Sequence, residues 1–155
     1  MGTTVYIRLP LTETVASEKP IAENLSFSNE NLTIRCNQQK KWMEANWAGY
    51  QNFESVQNGG LMMVDVLKSA GLKNVLNDNR EVLGNWSEAS DWARNIWFPM
   101  MIEAALHNFA WVFSSNAFSQ LAAQKSVETS YGNIHVRFFY DMEEAKAWLS
   151  ELPIS

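Results

Sequence analysis

Cysteine, long apolar runs and clustered positive charge are scarce in this chain, and each scarcity excludes a class of protein. Cys36 is the one cysteine, so an intrachain disulfide or a metal site with several thiolates is excluded. No apolar run approaches the roughly 18 residues that a membrane-spanning helix needs, and no apolar stretch of signal-peptide length occurs near residue 1. We therefore expect a cytoplasmic protein without a membrane span.

Basic residues are few and scattered along the chain. Twelve Lys and Arg stand against 17 Asp and Glu, which gives a net charge of −5, and Lys40-Lys41 is the only adjacent basic pair. Binding along a nucleic-acid backbone requires a basic patch that neutralises several phosphates. Nucleic acid is therefore not an expected partner.

Aromatic residues are abundant. Seven Trp and eight Phe occur in 155 residues, a length typical of one domain that buries roughly 70% of its unfolded surface. This aromatic content indicates a large core or a partly exposed aromatic surface.

The chain divides into an N-terminal arm, residues 1 to 22, and a single domain, residues 23 to 155. The arm shows neither the helical nor the strand period of hydrophobic residues over a sustained length. Period-two alternation then predicts strands over 25–28, 32–36 and 42–47, the last two forming a hairpin. Asn52 is a helix N-cap candidate and Gly71 a C-cap candidate, which predicts a helix over most of the stretch between them.

The stretch from Lys73 to Trp92 is the one around which we expect function to lie. Its pattern predicts a short central strand, Asn74-Val75-Leu76, a polar loop from Asn77 to Arg80, and a helix that Ser87 caps. Ligand sites in open sheets lie beyond the carboxyl ends of the strands.

The second half of the chain alternates helices and strands. Pro99 predicts a break at Trp97-Phe98 and a further short helix. The continuous apolar run over 109–113 predicts a strand that is covered on both faces of the sheet. The residues that follow predict a short helix over 116–125, an edge strand over 134–140 and a final helix capped by Asp141. This order predicts an α/β (α+β) fold with a mixed sheet.

A family resemblance adds to this prediction. It rests on Trp47-Ala48-Gly49-Tyr50, on residues 75–80, on Phe109-Ala110-Trp111-Val112, and on Val136-Arg137-Phe138-Phe139 followed by Glu144, Ala145, Trp148 and Leu149. In order and spacing these residues resemble the SpoIIAA-like group of STAS-type domains, also called STAS/SEC14-like. The resemblance covers about residues 25 to 152. It implies a bacterial protein with a four- or five-stranded mixed sheet and helices mainly on one face.

The resemblance also implies a function. Characterised STAS-type relatives are protein-interaction modules that antagonise anti-sigma factors and are switched by phosphorylation of a Ser or Thr after the central strand. In this chain that turn reads Asn77-Asp78-Asn79-Arg80-Glu81 and lacks a hydroxyl. Ser87 is the first candidate phosphorylation site, and it lies several residues after the position that is phosphorylated in the relatives. The SEC14-like label implies lipid binding.

Two candidate sites follow from the residues themselves. Asn77, Asp78, Asn79 and Arg80 could form a polar binding site, or Asp and Asn could instead satisfy loop backbone groups. A second set could form an apolar groove or a homodimer face, or belong to a thick core. Its members are Trp97, Phe98, Met100 and Met101, with Trp86 and Trp92 nearby.

Catalytic and metal-binding motifs are not apparent. The two histidines, His107 and His135, have no partner at ligand spacing, and no nucleophile elbow or phosphate-binding loop occurs. We therefore expect a protein without metal, cofactor or enzymatic activity. The first hypothesis is a STAS-like protein-interaction or regulatory domain that forms a homodimer. The alternative is a binder of a small apolar or lipid-like ligand.

Overall fold

The computed structural model describes residues 24–127 and 131–153. The predicted arm, residues 1 to 22, lies outside them. Six strands form one sheet in which spatial order follows chain order. The strands are β1 (Asn24–Ser28), β2 (Leu32–Asn37), β3 (Trp42–Tyr50), β4 (Asn74–Leu83), β5 (Asn108–Val112) and β6 (His135–Phe139).

The sheet is mixed, as the sequence predicts. β1, β2 and β3 pair antiparallel, with Ile34 opposite Ala45 in the predicted hairpin. β3, β4, β5 and β6 pair parallel, so that Ala45, Asn77 and Trp111 lie side by side on three neighbouring strands. The expected count of four or five strands is wrong. It came from the resemblance, whereas each of the six strand patterns in the sequence forms a strand of this sheet.

Helix α1 (Phe53–Ala70) has the ends that the sequence predicts. The Asn52 side chain accepts a hydrogen bond from the backbone N–H of Ser55, and the Ser55 hydroxyl accepts one from the N–H of Asn52. These two bonds satisfy amide groups that have no partner within the helix. Gly71 ends the helix in the left-handed region, with φ of 68°.

A helical segment, residues 87–103, connects β4 to β5. It begins as a 3₁₀ turn (Ser87–Ala89) and α2 (Ser90–Trp92), continues as a π-helix (Ala93–Trp97) and ends as α3 (Phe98–Glu103). The predicted Ser87 cap is wrong. The Ser87 N–H donates to Oδ1 of Asn85 at 2.9 Å, and Trp86 occupies the cap position without a side-chain cap bond.

The helices cover the two faces of the sheet unequally. The larger core contains residues of α1, of segment 87–103 and of α4 (Ala117–Lys125). β3, β4, β5 and β6 are parallel and lie in the sheet in chain order. Because crossover connections between parallel strands are right-handed, the helices between these strands all lie on the same face. The smaller core lies on the other face, where α5 (Met142–Ser150) packs through Ala145 and Leu149. Among the described residues, no helix is both long enough and apolar enough to cross a bilayer.

Candidate functional site

The polar residues predicted as a loop belong to strand β4. Asn77, Asp78 and Asn79 are buried, and of the four residues only Arg80 is exposed. The loop prediction is wrong because, although Asn and Asp are depleted in strands in general, side-chain partners on neighbouring strands can outweigh this tendency. Here, the Trp47 indole donates to Oδ1 of Asn77 at 3.0 Å, and Nδ2 of Asn77 donates to Oδ1 of Asn79 at 3.1 Å.

Asp78 points to the opposite face of the sheet and holds Arg80. Its Oδ1 accepts from Nε of Arg80 at 2.9 Å, and its Oδ2 accepts from Nη2 of Arg80 at 2.9 Å and from Nδ2 of Asn46 at 3.0 Å. The hydrogen bond to Asp78 is the main cause that raises the pKa of Arg80 above its ordinary value. The Asp78 side chain is 7% exposed and that of Arg80 is 52% exposed. This pair presents an oriented guanidinium group to solvent.

A cavity of about 40 Å³ lies between the sheet and the helices of the larger core. Five of the chain's seven tryptophans line it: Trp47, Trp86, Trp92, Trp97 and Trp111. We call it the tryptophan cavity. The remaining lining residues are Gln51, Val56, Gly60, Asn77, Asn79, Val82 and Ala93. None of these twelve described residues carries a formal charge.

Strands and helices each supply part of this wall. Trp47 and Trp111 come from β3 and β5, and their side chains lie on the same face as Asn77 because of the register between the strands. Ala93 and Trp97 are the first and last residues of the π-helix. π-helical turns are rare, destabilising and frequent at functional sites. The irregular turn therefore contributes directly to the cavity.

The indole N–H groups of the wall differ in their partners. Nε1 of Trp47 donates to Asn77, Nε1 of Trp86 donates to Oγ of Ser119 at 3.0 Å, and Nε1 of Trp97 donates to the Gly60 carbonyl oxygen at 2.6 Å. Nε1 of Trp111 is buried and, in the part of the chain described, has no hydrogen-bond partner. A buried donor without a partner costs about 1–3 kcal/mol.

The second predicted set, around Pro99, belongs mostly to the core. Phe98 and Met101 are fully buried, Trp97 is 6% exposed and Met100 is half-buried. Phe98 packs edge-to-face on Phe109, with ring centroids 5.2 Å apart. An exposed groove or dimer face built from these residues is therefore wrong. Only Trp97 of the four lines the tryptophan cavity.

The other singled-out residues lie apart from the cavity. Ser87 is half-buried at the start of the 3₁₀ turn, and its phosphorylation remains a prediction. His107 and His135 are exposed. Among residues 24–127 and 131–153, no three His, Cys, Asp or Glu side chains cluster closely enough to hold a metal ion.

Sequence reasoning did not associate Trp47 and Trp111 with the site. The pattern that could have found them is alternation. Trp47 shares a face of β3 with Met43 and Ala45, and Trp111 shares a face of β5 with Phe109. Recognising that these two faces adjoin requires the strand order, which no local pattern provides.

The fold and the cavity together define a mixed α/β domain with a tryptophan-lined cavity. Searches with this chain find no matching family model, and no curated protein or solved structure with significant similarity.

Proposed function

We propose that this chain is a non-enzymatic binding domain that holds a small, largely apolar molecule in the tryptophan cavity. The single observation that carries the proposal is the convergence of five indoles on one cavity whose accessible wall is apolar. Ligand sites are concave and mostly aromatic or apolar, with a few placed polar groups. The position near the carboxyl halves of β3, β4 and β5 agrees with where open sheets bind ligands.

The size of the cavity limits the ligand. An apolar cavity of about 150 Å³ binds benzene, so a cavity of about 40 Å³ accepts only a molecule of fewer non-hydrogen atoms. Pockets for drug-sized ligands measure roughly 300–1,000 Å³. We therefore propose a small molecule and not a lipid chain. Trp92 is half-buried and contacts Phe53 edge-to-face, with centroids 6.3 Å apart. This pair is the proposed point of entry.

Xenon tests this proposal because it binds apolar cavities without requiring a hydrogen bond. The readout is the set of tryptophan indole N–H signals in a ¹H–¹⁵N spectrum under xenon pressure. We expect shifts for the five lining indoles. Trp42 and Trp148 are internal controls, since both pack in the smaller core on the other face of the sheet. Their signals are expected to stay unchanged.

Two variants make the test specific. Ala93 lines the cavity and is buried, so Ala93→Val is expected to fill it and abolish the xenon shifts. Val56→Ala is expected to enlarge the cavity and increase the occupancy at a given pressure. Equal responses in the wild type and in Ala93→Val, or no response of the five indoles, would contradict the proposal.

A second candidate function rests on Arg80. Its half-exposed guanidinium, fixed by two hydrogen bonds to Asp78, suits capture of a carboxylate or phosphate on a partner protein. This is the regulatory interaction module that the SpoIIAA-like resemblance implies, within a cytoplasmic setting. Native mass spectrometry of the protein purified from cells separates the candidates. A retained small molecule favours the cavity, and a co-purifying protein that Arg80→Gln fails to retain favours the module.

A further inference from the structure

A second and larger pocket lies at the amino edge of the sheet, where the parallel strands begin. Its volume is about 570 Å³, within the roughly 300–1,000 Å³ of pockets that hold small organic ligands. Lys40, Lys41 and Lys73 line it, and none of its fifteen described lining residues is an Asp or a Glu. We call it the lysine pocket. No described residue lines both this pocket and the tryptophan cavity.

The strand register gathers residues that are scattered in the sequence. Trp42, Asn74 and Asn108 begin β3, β4 and β5 and lie side by side. The residues immediately before them are Lys41, Lys73 and His107. Because neighbouring strands are about 4.8 Å apart, these three residues form a row along the amino edge of the sheet. The His107 N–H donates to the Lys73 carbonyl oxygen at 2.8 Å, which ties two of the segments together.

The lysines of this pocket have no anionic partner in the described part of the chain. None of the three forms a salt bridge with an Asp or Glu of residues 24–127 or 131–153. Lys73 is half-buried, whereas Lys40 and Lys41 are exposed. Charges of one sign that lie close together repel each other, and the repulsion grows where protein replaces water. An anion bound among the three lysines would remove this repulsion.

Two helix ends offset part of the positive charge. Ala70, the last residue of α1, and Ser150, the last residue of α5, both line the lysine pocket. The carboxyl end of a helix carries a partial charge of about −0.5, so the two ends together offset about one of the three lysine charges. An excess of about two positive charges remains. A phosphate monoester carries a charge of roughly −1.5 to −2 at pH 7 and therefore matches this excess.

The rest of the wall favours a phosphate that is attached to an apolar group. A lysine ammonium is a compact charge and a common phosphate ligand in proteins. Leu72, Leu149 and Leu152 supply an apolar part of the same wall. A molecule that combines a phosphate with an apolar portion would contact both kinds of surface, whereas a free inorganic anion would contact only one.

We propose that the lysine pocket binds a small phosphate monoester with an apolar portion. Lys40, Lys41 and Lys73 surround the phosphate, and the three leucines contact the apolar portion. This site is independent of the function proposed for the tryptophan cavity, since the two pockets lie at different places on the sheet and share no described residue.

Three probes separate the two parts of the proposed ligand. Hexyl phosphate carries both the phosphate and an apolar chain, inorganic phosphate carries only the first, and hexanol carries only the second. The readout is a titration followed by the backbone N–H signals of Lys41, Lys73 and His107 in a ¹H–¹⁵N spectrum. We expect hexyl phosphate to shift these signals with a Kd at least about tenfold below that of either other probe, the gain from burying about two methylene groups. The indole signals of the tryptophan cavity are expected to stay unchanged.

Two variants test the lysines themselves. Lys41→Gln and Lys73→Gln each remove one charge and keep a polar side chain, and each is expected to raise the Kd for hexyl phosphate roughly five- to tenfold. Lys125→Gln is the matched control. It changes the net charge by the same amount, but Lys125 is exposed on α4 and does not line the pocket. Because solvent and salt screen a distant surface charge, the Kd of this variant is expected to stay within about twofold of the wild type.

Three results would overturn the inference. The first is the absence of shifts at the three backbone N–H groups when hexyl phosphate is added. The second is a Kd in both pocket variants equal to that of Lys125→Gln, because the lysines would then contribute nothing. The third is equal affinity for inorganic phosphate and hexyl phosphate, because the apolar portion would then contribute nothing. Each of these results leaves the tryptophan cavity untouched, since xenon tests that proposal separately.

Discussion

At the scale of residues, Asp78 and Arg80 show how burial changes the expected effect of a mutation. From the sequence alone, Arg80→Ala is expected to leave the melting temperature nearly unchanged. In the structure, it would remove two of the hydrogen bonds that satisfy a carboxylate with 7% exposure. We therefore expect Arg80→Ala to lower the free energy of unfolding by about 1–3 kcal/mol, measured by urea denaturation.

Arg35→Ala is the control for this prediction. Arg35 is exposed on β2, and surface substitutions of this kind change stability by less than about 0.5 kcal/mol. If Arg80→Ala lowers the free energy of unfolding no more than Arg35→Ala does, the Asp78 carboxylate is satisfied without Arg80 and the pair has no structural role.

Cys36 predicts a dependence of stability on alkaline pH. Burial is the main cause that raises the pKa of this thiol above its ordinary value of 9.0, and a hydrogen bond from Ser26 acts in the opposite direction. The unfolded chain therefore ionises first. The stabilising contribution is complete below the unfolded pKa and is lost as the pH rises through the folded pKa.

Chemical denaturation between pH 8 and pH 10 measures this contribution. Relative to Cys36→Ala, the wild type is expected to lose unfolding free energy above about pH 9, with a slope of at most about 1.4 kcal/mol per pH unit. The other titrating groups are common to both chains and cancel in the comparison. Parallel pH profiles for the two proteins would contradict the prediction.

The same residue scale explains what the sequence could not reveal about the site. Asn77, Asp78 and Asn79 have the composition of a turn, and a local pattern gives no reason to place them in a strand. Their partners are Trp47, which is 30 residues from Asn77 in sequence, and Asn46, which is 32 residues from Asp78. Only the parallel pairing of β3 with β4 brings these side chains together.

At the scale of elements, α1 shows that caps and close packing are predictable from sequence. Asn52 and Gly71 are its predicted ends. The adjacent mid-helix glycines, Gly59 and Gly60, each cost about 1 kcal/mol relative to alanine and so predict a close approach of the helix to the sheet. The structure confirms that approach. A Cβ atom on Gly59 would lie 2.8 Å from Cζ3 of Trp47 and 3.0 Å from Cδ2 of Leu32.

Gly59→Ala tests whether packing outweighs helix propensity. Alanine favours an exposed helix by about 1 kcal/mol over glycine, but the clash with Trp47 is expected to make the variant less stable by about 1–3 kcal/mol. Thermal unfolding measures the difference. Asn58→Ala is the control, because Asn58 is exposed on the same helix and the change is expected to be neutral or slightly stabilising. A stabilised Gly59→Ala protein would show that the contact yields easily.

The segment between β4 and β5 was predicted only in part. Pro99 lacks a backbone donor and predicted a break before it. The structure accommodates this proline in the first turn of α3 and places a π-helix immediately before it. No local pattern distinguishes a kink from a π-helical turn, so the turn that brings Ala93 and Trp97 to the cavity could not be foreseen.

At the scale of the whole molecule, β6 bears on assembly, because among the described strands it pairs with β5 alone. The His135 N–H donates to the His107 carbonyl, and the Phe139 carbonyl accepts from Phe113. The direction of the backbone groups alternates along a strand. The backbone N–H of Arg137 therefore also points toward β5, whereas the backbone N–H groups of Val136 and Phe138 point away from it. These outward groups can pair with a second copy of the strand.

We propose a homodimer through this edge, and Val136→Pro tests it. Proline at Val136 removes an outward donor and should leave the fold intact, whereas proline at Arg137 removes a bond within the sheet and should destabilise it by roughly 1–3 kcal/mol. Sedimentation velocity at high micromolar concentration is expected to show a dimer for the wild type and a folded monomer for Val136→Pro. A monomeric wild type, or a dimeric Val136→Pro, would contradict this assembly.

The most direct test of the account is a crystal structure of the protein under xenon pressure. The account predicts xenon density in the tryptophan cavity, among the five indoles that line it. A structure in which the helices close on the sheet without xenon density would contradict it.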